Sequence, residues 1–146
     1  MEEAPLARDP EPPARTLPAT DKDAIAYWTW GKDGKLAIYR CAACRSNVHP
    51  PTTFCPYCEE RDVAPEAVSG RGRVITFTVN HKQCAPDLPV PFVLALVAIV
   101  EQPDVRLVGN IVGCPVEDVT FDMDVEVFFE KAEDLWIPLF RPAAPQ

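Results

Sequence analysis

The chain has 146 residues and a mass of 16.2 kDa, room for one compact domain or two very small modules sharing a core. Apolar residues at 47% and charged residues at 25% exclude a wholly disordered chain, and the longest apolar stretch, Val90 to Val100, is too short for a membrane span and contains Pro91. The net charge of −8 is concentrated in residues 101–134, where ten carboxylates meet only Arg106 and Lys131, a balance that suits a solvated acidic face and argues against phosphate-backbone binding.

Residues 1–20 hold five prolines and no apolar period, and are expected to form an extended arm able to order against a partner. They have neither the basic nor the apolar region of a secretion signal, so a cytoplasmic location is expected. Residues 21–35 predict a short helix. Thr20 or Asp21 caps it, Ile25, Trp28 and Tyr27 share one face, and it ends near Gly31 to Gly34. Leu36 to Tyr39 predicts a short strand entering a cysteine-bearing module over 36–69.

From 70 to 142 the texture is β. Strands are expected at Val74–Val79, Phe92–Val100, Val105–Val112 and Val125–Phe129, with a short fifth at Leu135–Phe140 interrupted by Pro138. Residues 143–146 are a tail. Five strands without a long helix predict an OB-type barrel, with an SH3-like barrel as the alternative. The expected fold class is mostly β: a short N-terminal helix, the cysteine-bearing ribbon, then a five-stranded barrel.

The strongest motif is Cys41-Ala-Ala-Cys44, ten residues, then Cys55-Pro-Tyr-Cys58. Two such pairs bring four thiolates to one point, the donor set of tetrahedral zinc. Iron is the alternative metal, since thiolates suit both. With four sulfurs bound no position stays open for substrate, so the metal is structural. His49 lies in the spacer and is expected on the knuckle surface. Cys84 and Cys114 stand apart and read as small hydrophobes or surface thiols, and His81 is an isolated loop histidine. Glycine-rich phosphate loops, GxSxG, HExxH and carboxylate–histidine clusters are absent, which points to a binding module rather than a self-contained enzyme.

Tyr27-Trp28, Gly34-Lys35-Leu36 leading to Arg40-Cys41, Pro50-Pro51 before Cys55, the run Gly70 to Val79, Pro91 to Val97 and Phe140-Arg141-Pro142 occur in order. Together they make the chain, from Asp23 to Pro142, resemble the rubredoxin-like zinc ribbon plus OB-fold family, formerly a domain of unknown function and associated with acyl-CoA enzymes. Arg45 and Glu59 stand where that family commonly has glycine after each knuckle. Neither change removes a ligand.

The resemblance implies a non-catalytic subunit that docks on a thiolase-superfamily enzyme, a thiolase or a lipid-transfer-protein-like aldolase of the kind used in steroid side-chain degradation. It also implies that the barrel helps shape the acyl-CoA channel. Coenzyme A carries a diphosphate and a 3′-phosphate, for which Arg71 and Arg73, flanking Gly72, are the candidate cations, with solvated loop charges as the alternative. Tyr27, Trp28 and Trp30 are assigned to the partner interface, with core packing or ligand stacking as alternatives. The competing function is a single-stranded nucleic-acid binder or another protein scaffold, and the acidic barrel speaks against the former.

Overall fold

The computed structural model describes residues 15–85 and 88–144, so most of the expected arm and the last two residues of the tail lie outside the described residues. The N-terminal helix is shorter than expected: α1 spans Ile25–Thr29 and continues as a 3-10 turn, Trp30–Asp33. The N-cap position is Ala24, which has no side-chain cap, and not Thr20 or Asp21; the Asp21 carboxylate accepts from the backbone N–H groups of Asp23 and Ala24 in the turn just before the helix. The buried face differs from the expected one. Ala26 and Tyr27 are buried, Trp28 is half-buried, and Ile25 is 39% exposed.

Gly31 sits where the helix end meets the barrel. A Cβ there would lie 2.5 Å from Phe129 Cδ1 and 2.5 Å from Trp136 Cβ, so only glycine permits this approach.

A three-stranded antiparallel sheet follows, ordered β2-β1-β3: β1 is Leu36–Cys41, β2 is Asn47–Val48 and β3 is Val63–Val68. The central strand buries Leu36, Ala37, Ile38, Tyr39 and Cys41. β3 was not foreseen, because Pro65 and Glu66 break its apolar pattern. It pairs with β1 along its whole length, from Leu36 opposite Val68 to Cys41 opposite Val63. As an edge strand it tolerates a proline that lacks a donor.

The remaining strands form a closed barrel in the order β4-β5-β6-β8-β7. They are β4 (Arg71–Asn80), β5 (Phe92–Ile99), β6 (Arg106–Ile111), β7 (Asp124–Ala132) and β8 (Leu135–Pro142). Only β6 and β8 run parallel, touching at Ile111 and Phe140, and this is the five-stranded OB arrangement. β4 begins three residues earlier than its apolar run because Arg71, Gly72 and Arg73 pair with Glu126, Val125 and Asp124 to close the barrel. β8 runs through Pro138, which lies opposite Phe129. The single bridge to β6 leaves the other side of β8 largely unpaired, where a missing N–H is tolerated.

One core unites the parts. Tyr27 from α1 and Leu36 and Ile38 from β1 join Val74, Val97, Leu107 and Phe140 of the barrel in a single buried cluster. Burial of each such large side chain contributes about 1.5–3 kcal/mol.

Candidate metal centre

Each Cys-x-x-Cys pair is held by the same backbone device. The Arg45 N–H donates to the Cys41 carbonyl at 2.9 Å and the Cys41 N–H donates to the Ser46 carbonyl at 2.9 Å. Fourteen residues on, the Glu59 N–H donates to the Cys55 carbonyl and the Cys55 N–H to the Glu60 carbonyl, both at 2.8 Å. The turn requires a left-handed residue after the second cysteine, and Arg45 (φ 65°) and Glu59 (φ 67°) adopt it in glycine's place.

These two turns face each other. The Sγ atoms of Cys41, Cys44, Cys55 and Cys58 all lie within 4.8 Å of one another. Cys41 Sγ is 3.6 Å from Cys58 Sγ, and Cys44 Sγ is 3.6 Å from Cys55 Sγ. A tetrahedron with metal–sulfur bonds of about 2.3 Å has edges of about 3.8 Å, whereas a disulfide requires about 2.05 Å. The spacing fits four ligands of one ion. None of the six cysteines is in a disulfide. The first cysteine of each pair, Cys41 and Cys55, is buried with Val48, while Cys44 is exposed.

The thiols favour a cation on electrostatic grounds as well. Hydrogen bonds from the Ser46 side chain and backbone pull the Cys44 thiol down to about 6. The Glu60 backbone favours the Cys58 thiolate, but desolvation and the other three sulfurs outweigh it and push that thiol up to about 12. A divalent cation placed among the sulfurs would favour the thiolate at Cys58 as well as at Cys44. Four protein sulfurs fill a tetrahedral ion, which leaves it a structural role.

The other candidates lie elsewhere. His49 is not on the knuckle surface. It is half-buried, its ring 5.3 Å from that of Tyr27, and desolvation lowers its pKa. His81 and Cys84 are exposed, the latter accepting from Asn80 Nδ2 at 3.0 Å, and burial pushes the Cys114 thiol up.

Tyr27 packs in the chain's own core: it is 8% exposed, edge-on to Trp28 at 4.8 Å, and burial drives its hydroxyl pKa well above the ordinary value. Trp28 and Trp30 are half-buried; Trp28 lines a cavity of about 350 Å³ with Arg15, Leu88 and Ile137. Arg71 and Arg73 lie on β4, apart from the cysteines, and Arg73 Nε is 3.4 Å from Asp124 Oδ1 across an exposed pair.

Sequence reasoning missed the contacts that seat the ribbon on the barrel. Gln102 bonds Asn47, and the Ser69 hydroxyl donates to Glu101 at 2.8 Å. It also missed Arg15, whose Nε donates to the buried Glu130 carboxylate at 2.8 Å. None of these pairs leaves a motif in the sequence.

Comparison with known proteins agrees with this layout. Residues 28–64 match the family described as the ChsH2 rubredoxin-like zinc ribbon domain, and residues 65–130 match the ChsH2 C-terminal OB-fold domain. A DUF35 domain-containing scaffold protein of Methanocaldococcus jannaschii is 32% identical over 78% of this chain and 82% of its own. A Thermomonospora curvata protein named as an enoyl-CoA hydratase alpha subunit is 36% identical over 90% of this chain, and a Mycobacterium tuberculosis protein named 3-oxo-4,17-pregnadiene-20-carboxyl-CoA hydratase alpha subunit is 32% identical over 92%. This chain spans only 41% and 42% of the length of those two subunits. Among solved structures, a chain of the Ltp2-ChsH2(DUF35) aldolase is 35% identical, with TM-score 0.78, over 88% of this chain and all of that one.

Proposed function

The chain belongs to the DUF35 family of rubredoxin-like zinc-ribbon and OB-fold proteins, and from that premise we propose that it is a non-catalytic, zinc-binding accessory subunit of an acyl-CoA enzyme. The enzyme is of the thiolase superfamily, a thiolase or a lipid-transfer-protein-like aldolase, and the subunit docks on it and helps form its acyl-CoA site. The observation that carries this reading is the likeness over the full length of the DUF35 chain in the aldolase structure.

Cys41, Cys44, Cys55 and Cys58 hold the ion, and zinc is favoured by four thiolates in a closed shell. Its contribution is to fix the ribbon's shape. Arg71 and Arg73 point the same way along β4 with Gly72 between them facing the core, and their role is to meet the phosphates of coenzyme A in the assembled site.

The test is thioester turnover. The purified chain alone is expected to turn over no acyl-CoA, and adding it to its enzyme subunit is expected to create or multiply activity. Unaided turnover contradicts the reading. An unchanged KM for acyl-CoA in the Arg71→Ala/Arg73→Ala complex removes the phosphate role alone.

A further inference from the structure

In a closed barrel the outward positions face water and are ordinarily polar. One part of this barrel breaks that rule. Successive cross-strand rows on the outer face of β4, β5 and β6 are Thr78–Leu94–Asn110 and Thr76–Leu96–Val108. Thr76, Thr78, Leu94, Leu96 and Val108 line an open groove of about 270 Å³, with Leu94 41% exposed and Val108 64% exposed. The next row places Arg73 and Arg106 on either side of Ala98, both side chains exposed.

The charge on these strands is equally unusual. In a chain of net charge −8, the 10, 8 and 6 residues of β4, β5 and β6 contain no carboxylate and three arginines. We propose that this outer face, with Leu94 and Val108 at its centre and Arg106 on its rim, is where the barrel docks on its enzyme, against an apolar patch bordered by carboxylates. The inference rests on the accessory-subunit reading and names the surface that reading requires.

One alternative fits less well. A second copy of the chain docked through the same three strands would bring them no carboxylate to meet Arg73 and Arg106, since these strands carry none. The groove itself lies over β5, which is paired on both sides, with β4 and with β6, so recognition there falls to side chains. An exposed apolar centre with a complementary charged rim is the usual anatomy of a heteromeric interface.

The probe is the Ltp2 subunit of the Ltp2-ChsH2(DUF35) aldolase, titrated with the zinc-loaded chain by isothermal calorimetry. Leu94→Glu/Val108→Glu should weaken binding by about 30-fold or more, and Arg106→Glu should weaken it less and flatten its salt dependence. Hydroxyl-radical footprinting of the unmodified chain should find Leu94 and Val108 protected in the complex, a readout that stands even where the double variant folds poorly. Full binding by a folded double variant, or no protection at Leu94 and Val108, overturns the face and leaves the accessory reading intact. No binding by the unmodified chain overturns both. A poly-dT strand bound by the unmodified chain and lost with the double variant assigns the face to nucleic acid and overturns the proposal.

Discussion

Gln102, in the loop between β5 and β6, clamps Asn47 on β2: its Oε1 accepts from the Asn47 backbone N–H at 2.8 Å, and its Nε2 donates to the Asn47 carbonyl at 3.2 Å. Asn47 is 4% exposed, so these bonds form away from water. They tie the strand beside the first knuckle to the barrel.

Gln102→Ala leaves a buried N–H without its acceptor, at a cost of about 1–3 kcal/mol. The urea midpoint of the zinc-loaded protein should fall accordingly, and hydrogen exchange at the Asn47 amide should accelerate. An unchanged midpoint would mean the clamp is filled by solvent at no loss.

Glu59 occupies a left-handed position at φ 67° without a side-chain partner that would favour it over glycine among the described contacts. The strain is about 1–2 kcal/mol, offset by the about 0.4–1 kcal/mol that glycine loses in chain entropy. Glu59→Gly should therefore raise stability by several tenths to about 1 kcal/mol. Arg45→Gly should raise it less, because Arg45 Nη2 also pairs with Glu66 Oε1 at 3.2 Å, an exposed contact of small worth. Urea denaturation of the two variants orders them.

The barrel strands were legible because their β-branched and aromatic residues run in blocks between turn residues, and the metal centre because two Cys-x-x-Cys pairs announce themselves by spacing. β3 was not, since Val63 to Val68 is a strand only through its partner β1. The sequence leaves core packing of Tyr27 as an alternative to a partner interface, because its burial depends on α1, β1 and the barrel meeting, which no local pattern encodes. Glu130 lies on an outward position of β7, and Arg15 reaches it from 115 residues away. Long-range pairs of that kind have no period to read.

Gly31 tests the seating of the helix. Gly31→Val forces a side chain into Phe129 and Trp136, and overpacking of this kind costs about 1–3 kcal/mol. Thermal melts should shift down, with near-ultraviolet circular dichroism reporting the displaced Trp136. A melt equal to the unmodified protein's would mean α1 shifts without loss.

His49 makes stability depend on pH. Desolvation lowers its folded pKa below the unfolded value of about 6.5. The unfolded chain then binds the proton more readily, so stability is complete above about 6.5 and declines as pH falls toward the lowered folded value. Metal-bound thiolates also take up protons on acidification, so the informative quantity is the difference between the protein and His49→Gln. That difference should change between about pH 7.5 and about pH 5.5, and a constant difference would contradict the assignment.

Cys41, Cys44, Cys55 and Cys58, with sulfurs all within 4.8 Å of one another, are the proposed ligands of the ion that fixes the ribbon's shape. Zinc K-edge absorption on the freshly purified chain, with metal content measured on the same sample, addresses this directly. The account predicts one equivalent of zinc surrounded by four sulfurs at about 2.3 Å. Protein that is metal-free as isolated and still fully folded, or a first shell containing nitrogen or oxygen, would contradict it.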